Sequence, residues 1–254
     1  MKLQQVIKII EAKYDKKRAF KDDFIGLQVK GKDQINNILI CLDFTDDFIN
    51  ELKEYKIDLI IAHHPLFFGD KKELLAKDPI LQKKYQLLKD LGINFYVLHT
   101  NIDFDIDSIP YNQAKKLDCR KIKLIDDKKA ISCILNKEFL FKDFIKFVRL
   151  NLQLKYDPFK TNLFIKDQKI KKLIIGSGAS GDLLEKIKEK DALYIIGELK
   201  HHHWIFASDN NLNVLEIGHQ SERIFVDIVE NFLFSASDNN LRLYKIYEYK
   251  YKNC

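Results

Sequence analysis

Asp58-Leu-Ile-Ile-Ala-His63-His64-Pro65-Leu-Phe-Phe68 decides how the rest of the chain is read. Four aliphatic residues, Leu59, Ile60, Ile61 and Ala62, read as a strand buried on both faces, as in a mostly parallel sheet. Two adjacent histidines and a proline then end it, because proline has no N–H to give to a sheet ladder. Ligands of open α/β sheets collect at the carboxyl ends of strands, and His63 and His64 stand at such an end. Successive strand side chains point to opposite faces. That geometry predicts that the adjacent imidazoles serve two neighbouring metal ions, one each. The plain alternative is a pair of loop histidines hydrogen-bonded near the surface.

Working outward, the same pattern of strand, polar tip and helix recurs. Leu3, Val6, Ile7, Ile10 and Tyr14 mark an opening helix of about three turns. Residues 22–29 read as a turn leading into a short strand, and residues 38–42 form a strand ending at Asp43. Thr45 is placed to cap a helix with Asp46 and Asp47 in its first turn and Phe48, Leu52 and Tyr55 facing inward. A helical stretch over 72–91 is interrupted at Pro79 and closed by Gly92. The strand at 94–98 ends in His99-Thr-Asn-Ile-Asp103, and a helix follows near 112–117. The second series has a strand at 131–135, a helix at 141–152 and a strand at 173–175 that runs into Gly176-Ser-Gly-Ala-Ser-Gly181. After a helix at 183–188, the strand 193–196 ends in Gly197-Glu198, with His201-His202-His203-Trp204 beyond. The strand 214–217 ends in Gly218-His219-Gln-Ser-Glu222. Ile224, Phe225, Ile228, Phe232 and Leu233 define a last helix. An alternating strand from Leu241 to Tyr251 puts Leu241, Leu243, Tyr247 and Tyr249 on one face.

Composition narrows the function. The chain has 254 residues, 46% hydrophobic and 31% charged, enough for one large domain or two small ones. With 9 Gly and 4 Pro, long disordered segments are not expected. The formal net charge is +6, but the lysines are dispersed and not interleaved with aromatics, which argues for a solvated surface and against a nucleic-acid footprint. The four cysteines form no CxxC, so a zinc ribbon or thioredoxin-like site is not supported. Scattered thiols suit a reducing cytoplasm. The first residues read into an amphipathic helix rather than a signal peptide, and no apolar run approaches the roughly 20 residues of a membrane span. A cytoplasmic protein with no membrane partner is the expectation. Neither a G-x-S-x-G elbow nor a dinucleotide fingerprint is present.

The strand tips carry the chemistry. Asp103 adds a carboxylate oxygen of the kind Zn²⁺ or Mn²⁺ accepts beside imidazole. His219 and Glu222, three apart at a helix start, share a face and could reach one ion, or Ser221 could simply cap that helix. Three consecutive histidines on a helix splay by about 100° each, so His201 or His202 could face a cleft while His203 lies at the surface. The glycine-rich turn at 176–181 reads as a tight strand-to-helix turn with some capacity to cradle an anion.

DLIIAHHPLFF, HTNID, IIGSGASGDL, IIGELKHH and EIGHQSE, in this order, resemble the GTP cyclohydrolase 1 type 2 family, also called the NIF-three-like family, in its short form without an inserted middle domain. IGLQV at 25–29 is similar to its N-terminal segment. The resemblance covers essentially the full chain. It implies two intertwined α/β domains with mixed sheets, a dinuclear metal site in the interdomain cleft and a ring-shaped homohexamer. Carried over position by position, it implies His63, His64, Asp103, His219 and Glu222 as ligands of two divalent ions, Zn, Mn or Fe. Asp103 and Glu222 would contact both. His99, Glu198 and His201 would line the cleft as proton-transfer or supporting groups. One departure is that the family's last histidine and glutamate stand four apart, whereas His219 and Glu222 stand three apart. The expected domains are 1–120 with 223–254, and 121–222. The implied activity is hydrolysis of a small anionic substrate, GTP by the family's name, with a metal-bound hydroxide as nucleophile. The competing expectation is a non-catalytic, metal-stabilised ring that binds protein or nucleic acid.

Overall fold

The apolar runs and helical stripes fold into two mixed sheets flanked by helices in the computed structural model, which describes residues 1–104, 106–127, 129–154, 158–163, 168–237 and 241–247. The first elements are α1 (Leu3–Lys13), β1 (Gly26–Val29), β2 (Asn37–Cys41), α2 (Ile49–Glu54), β3 (Leu59–Ala62), α3 (Lys71–Lys77), α4 (Pro79–Leu91) and β4 (Asn94–Val97). Then come α5 (Thr100–Asp103), α6 (Ile109–Lys116), β5 (Cys119–Ile125), β6 (Ala130–Leu140), α7 (Phe141–Asn151), β7 (Lys160–Thr161) and β8 (Lys169–Gly176). The last are α8 (Leu183–Ile187), β9 (Leu193–Ile196), α9 (His201–Asp209), β10 (Asn213–Glu216), α10 (Ile224–Ala236) and β11 (Arg242–Ile246).

The chain divides into one unit of Met1–Ile102 with Phe225–Cys254 and a second of Asp103–Ile224. The first crossing precedes the one expected near Arg120 because α6 packs on β5, β6 and β8, with Ala114 and Leu117 in the core of the second unit.

In the first unit the sheet order is β1-β4-β3-β2-β11, parallel except for β1. All four residues of β3 are buried, as expected for a central strand. Leu39, Cys41, Ile60, Ala62, Phe95 and Val97 pack beneath Leu52 of α2 and Leu88 of α4. Tyr96 has the other parity, and its hydroxyl donates to Glu11 Oε1 of α1 at 3.0 Å. Tyr14 meets Phe232 of α10 edge to face at 5.5 Å. The break at Pro79 is physical: Asp78 ends α3 and caps α4, its Oδ1 accepting from the N–H groups of Ile80 and Leu81. Gly92 closes α4 at φ +65°, a conformation cheap only for glycine.

The second sheet runs β5-β6-β8-β9-β10-β7, with β8, β9 and β10 parallel and the outer pairs antiparallel. One face holds Ile131, Leu173, Ile175 and Ile195 against Phe144 and Val148 of α7. The other holds Ile174, Tyr194, Ile196 and Val214 against Leu184 of α8 and Ala207 of α9. Phe144 is fully buried beside Phe139 and Phe147. Phe144→Ala is expected to destabilise the protein by about 3–5 kcal/mol through lost transfer energy and a cavity, seen as a lower urea midpoint.

Several boundaries differ from the sequence reading. Thr45 makes no side-chain cap; a 3-10 turn at Asp46–Phe48 precedes α2 instead. Helix α6 starts at Ile109 rather than near 112, because Ser108 Oγ accepts from Tyr111 N and Pro110 sits in the first turn. β5 was not anticipated: Arg120, Lys121 and Lys123 hide its alternation, as suits a charged edge strand. β6 extends well past Leu135. β11 pairs in parallel with β2 and ends at Ile246; Tyr249 and Tyr251 lie outside the described residues. Among the described residues no helix is long and apolar enough to cross a membrane.

Candidate metal centre

In the first unit the candidate ligands sit where β3 and β4 end. The ladder continues one step past β3, with His63 N donating to Cys41 O at 3.2 Å and His64 N to Leu42 O at 3.0 Å. The strand itself stops at Ala62 and the chain bends at His63 and His64. Alternation of side chains therefore fails here, and the imidazoles do not diverge as strand geometry predicted. Their ring centroids are 4.9 Å apart, and His99 lies 5.2 Å from His63 and 5.8 Å from His64. One ligand atom from each of His63, His64 and His99 lies within 4.8 Å of the other two.

The three rings are held alike. His63 Nδ1 lies 2.9 Å from Leu98 O. A carbonyl only accepts, so Nδ1 carries the proton and Nε2 is the basic nitrogen. His64 Nδ1 lies 2.7 Å from Asp43 Oδ1, and His99 Nδ1 lies 2.8 Å from Asp23 Oδ1. Burial pushes the Asp23 carboxyl up, but hydrogen bonds from the His99 ring and the Thr100 hydroxyl and backbone, with the attraction of His99, outweigh it and hold it at about 2. Asp23 is thus ionised at neutral pH and keeps the His99 proton on Nδ1. Carbonyl and carboxylate partners on the far nitrogen are the usual supports of metal-ligating histidine, fixing tautomer and ring orientation.

The second unit carries a histidine and carboxylates of its own. His219 through Arg223 form a 3-10 turn opened by Gly218 at φ +88°. A 3-10 helix has three residues per turn, so side chains three apart eclipse. The three-residue spacing of His219 and Glu222 therefore aligns them, and His219 Nε2 lies 3.1 Å from Glu222 Oε2. Two ligand atoms about 2.1 Å from one ion at a tetrahedral angle stand about 3.4 Å apart, so this pair suits a shared cation. His219 Nδ1 lies 3.0 Å from Glu198 Oε2, the same support as in the first unit. Ser177 Oγ donates to Glu222 Oε1 at 2.8 Å. Asp103, buried, closes α5.

The glycine-rich turn has a different task from the anion cradle considered above. A Cβ on Gly178 would come within 2.5 Å of Glu222 Oε1, and one on Gly181 within 2.0 Å of His203 Nδ1. The glycines admit side chains, and α8 beyond them has only five residues. His203 is likewise not at the surface: it is buried, and its Nδ1 accepts from Lys200 N at 3.3 Å to close the start of α9. Burial, with the neighbouring His202, disfavours its protonated form. His201 and His202 are exposed. Ser221 is buried within the 3-10 turn.

A model of the Duf34/NIF3 (NGG1p interacting factor 3) family matches residues 1–251. The chain belongs to this family. A GTP cyclohydrolase 1 type 2 homolog of Clostridium perfringens is 31% identical over 86% of both chains. One from Ureaplasma parvum is 28% identical over 95% of this chain and 94% of its own. A Staphylococcus aureus hypothetical protein of known crystal structure is 20% identical and superposes with a TM-score of 0.87, covering 100% of this chain and 99% of that one. Reduced HcgD of Methanocaldococcus jannaschii, 25% identical, gives 0.77 over 96% and 97%. NIF3-family membership thus accounts for the two mixed sheets.

For this NIF3-family chain, sequence reasoning missed the groups behind the histidines. Asp43 was visible as a polar residue ending the strand beside β3. Asp23 stands 76 residues from His99 and left no signal. Asp43→Ala is expected to weaken divalent-metal binding by about 10–100-fold, measured by titration with a chromogenic chelator. Asp43→Asn, which keeps an acceptor for His64, should lose less.

Proposed function

We propose that the protein is a metal-dependent hydrolase whose site takes two divalent ions, Zn, Mn or Fe. His63, His64, Asp103, His219 and Glu222 are the proposed ligands. The observation that carries this reading is that His63, His64, His99 and His219 are all held at Nδ1 by a carbonyl or carboxylate, presenting Nε2. Surface histidines have no need of that common arrangement. Bound divalent ions would supply Lewis acidity and lower the pKa of a coordinated water toward neutrality.

The chain's own groups set the rest. Asp43 and Glu198 fix the tautomer and ring orientation of His64 and His219. Ser177 orients Glu222. The convergence of His99 with His63 and His64, and its ionised partner Asp23, support a role for it as a third imidazole ligand or as the group that carries a proton to the leaving atom. His201, exposed at the first turn of α9, stands outside the ligand set, where relay of protons to bulk water is its role.

The relatives' name, GTP cyclohydrolase 1 type 2 homolog, makes GTP the first member of the small anionic substrate class to try. A ring-shaped homohexamer in the cytoplasm completes the reading. Release of formate from GTP by metal-loaded protein, abolished by His99→Ala, is the expected result. If no GTP, phosphoester or amide substrate is consumed while metal is bound, a non-catalytic interaction protein becomes the better account.

A further inference from the structure

β10 ends in a charged residue that an apolar strand does not need. Val214, Leu215 and Ile217 are buried, and among them Glu216 is only 5% exposed. Its parity puts it on the face of Val214, which packs with Tyr194, Leu199 and Ala207. A buried carboxylate is costly unless its lone pairs are met, and here both oxygens are committed. Oε1 accepts from Lys160 Nζ at 2.8 Å, the residue directly opposite on β7. Oε2 accepts from Leu199 N at 2.9 Å, inside the core.

Leu199 follows Glu198, whose Oε2 lies 3.0 Å from His219 Nδ1. The Glu198 side chain is 59% exposed, so little packs around it and its backbone must aim it. Both residues lie between β9 and α9, where the chain has no ladder or helix of its own to hold it. The backbone is pinned instead at two successive N–H groups. Glu198 N donates to Gly178 O at 3.0 Å, and Leu199 N donates to Glu216. The second bond ends on an ionised oxygen, and charge-assisted bonds of this kind are roughly twice as strong as neutral ones.

We infer that Glu216, braced by Lys160, is a positioning residue for the candidate metal centre: it clamps Leu199 N so that Glu198 stays on His219 Nδ1 and His219 presents Nε2. The inference rests on the metal-centre reading above for what His219 then binds, and the clamp itself can be read without metal.

The experiment uses the full chain and Zn²⁺ alone, with affinity from competition against a chromogenic chelator and with crystal structures of the metal-free parent and variants. Glu216→Leu keeps most of the volume and removes the acceptor, and Glu216→Ala guards against a misfit of the leucine. Each is expected to weaken Zn²⁺ binding by about tenfold, the low end for a partner outside the ligand set, and to leave Glu198 away from His219 in the metal-free crystal. Glu216→Gln, whose amide oxygen can still accept from Leu199 N, should restore affinity to within about threefold of the parent. In a Glu198→Ala background, Glu216→Leu should cost nothing further, because its effect runs through Glu198. Zn²⁺ binding unchanged by Glu216→Leu would overturn the inference. So would a loss that adds in full to that of Glu198→Ala, or a metal-free Glu216→Leu crystal with Glu198 still on His219. A parent chain that takes up no Zn²⁺, while Glu198 leaves His219 in the Glu216→Leu crystal, would support the clamp and overturn the metal reading.

Discussion

His63→Ala is expected to cost the protein its bound divalent metal while leaving it folded. His63 is fully buried, its ring lies 5.1 Å from Phe225, and its Nδ1 is committed to Leu98 O. Truncation removes a nitrogen donor that no neighbour can replace at the same place. The expected loss of affinity exceeds about 100-fold, beyond the 10–100-fold typical of an outer partner. Stability should fall by about 1–3 kcal/mol, because Leu98 O is left buried without its donor. His63→Gln, which can still donate to Leu98 O, separates the two effects: metal lost, most stability kept. Metal content by elemental analysis and far-UV circular dichroism read them independently. A His63→Ala protein that folds and keeps its metal would remove His63 from the ligand set.

Gly178→Ala is expected to damage the His219–Glu222 pair of the second unit nearly as much as removing Glu222. Gly178 sits at φ +49°, and an added methyl would lie 2.5 Å from Glu222 Oε1 and 3.4 Å from His219 Nε2. The positive φ alone costs about 1 kcal/mol for a side-chain-bearing residue. Relief of the clash must move either the carboxylate that Ser177 holds or the turn itself. The turn has little room, because Gly178 O accepts from Glu198 N at 3.0 Å, the residue that supports His219. Metal affinity should therefore fall with Gly178→Ala as with Glu222→Ala, while Ala179→Ser, next in the chain, leaves it unchanged. Equal metal binding by Gly178→Ala and the parent would mean that Glu222 is not a ligand.

The legible parts of the molecule were those in which one residue type has one physical use. Leu59–Ala62 could only be a central strand, and Pro79 with Gly92 could only punctuate helices. The strand-tip histidines were found because buried strands end abruptly in few ways. What the sequence concealed depended on chain bending or distant pairing. His63 and His64 converge because β3 stops at Ala62, which period-2 reasoning carried one step too far. The three-residue spacing of His219 and Glu222 suits the 3-10 turn in which they lie. His203 is buried because Gly181 leaves room for its ring, a pairing 22 residues apart that composition does not reveal. The edge strand β5 was invisible because alternating lysines and arginines resemble a loop.

The central claim is that these histidines and carboxylates hold divalent ions, and metal content per chain tests it most directly. The protein would be purified without chelator and without a histidine tag, then analysed by elemental mass spectrometry before and after exposure to Zn²⁺ or Mn²⁺. The account predicts about two ions per chain, reduced in the His63→Ala and Glu222→Ala variants. A folded protein that contains no divalent metal and takes up none from either solution would contradict it.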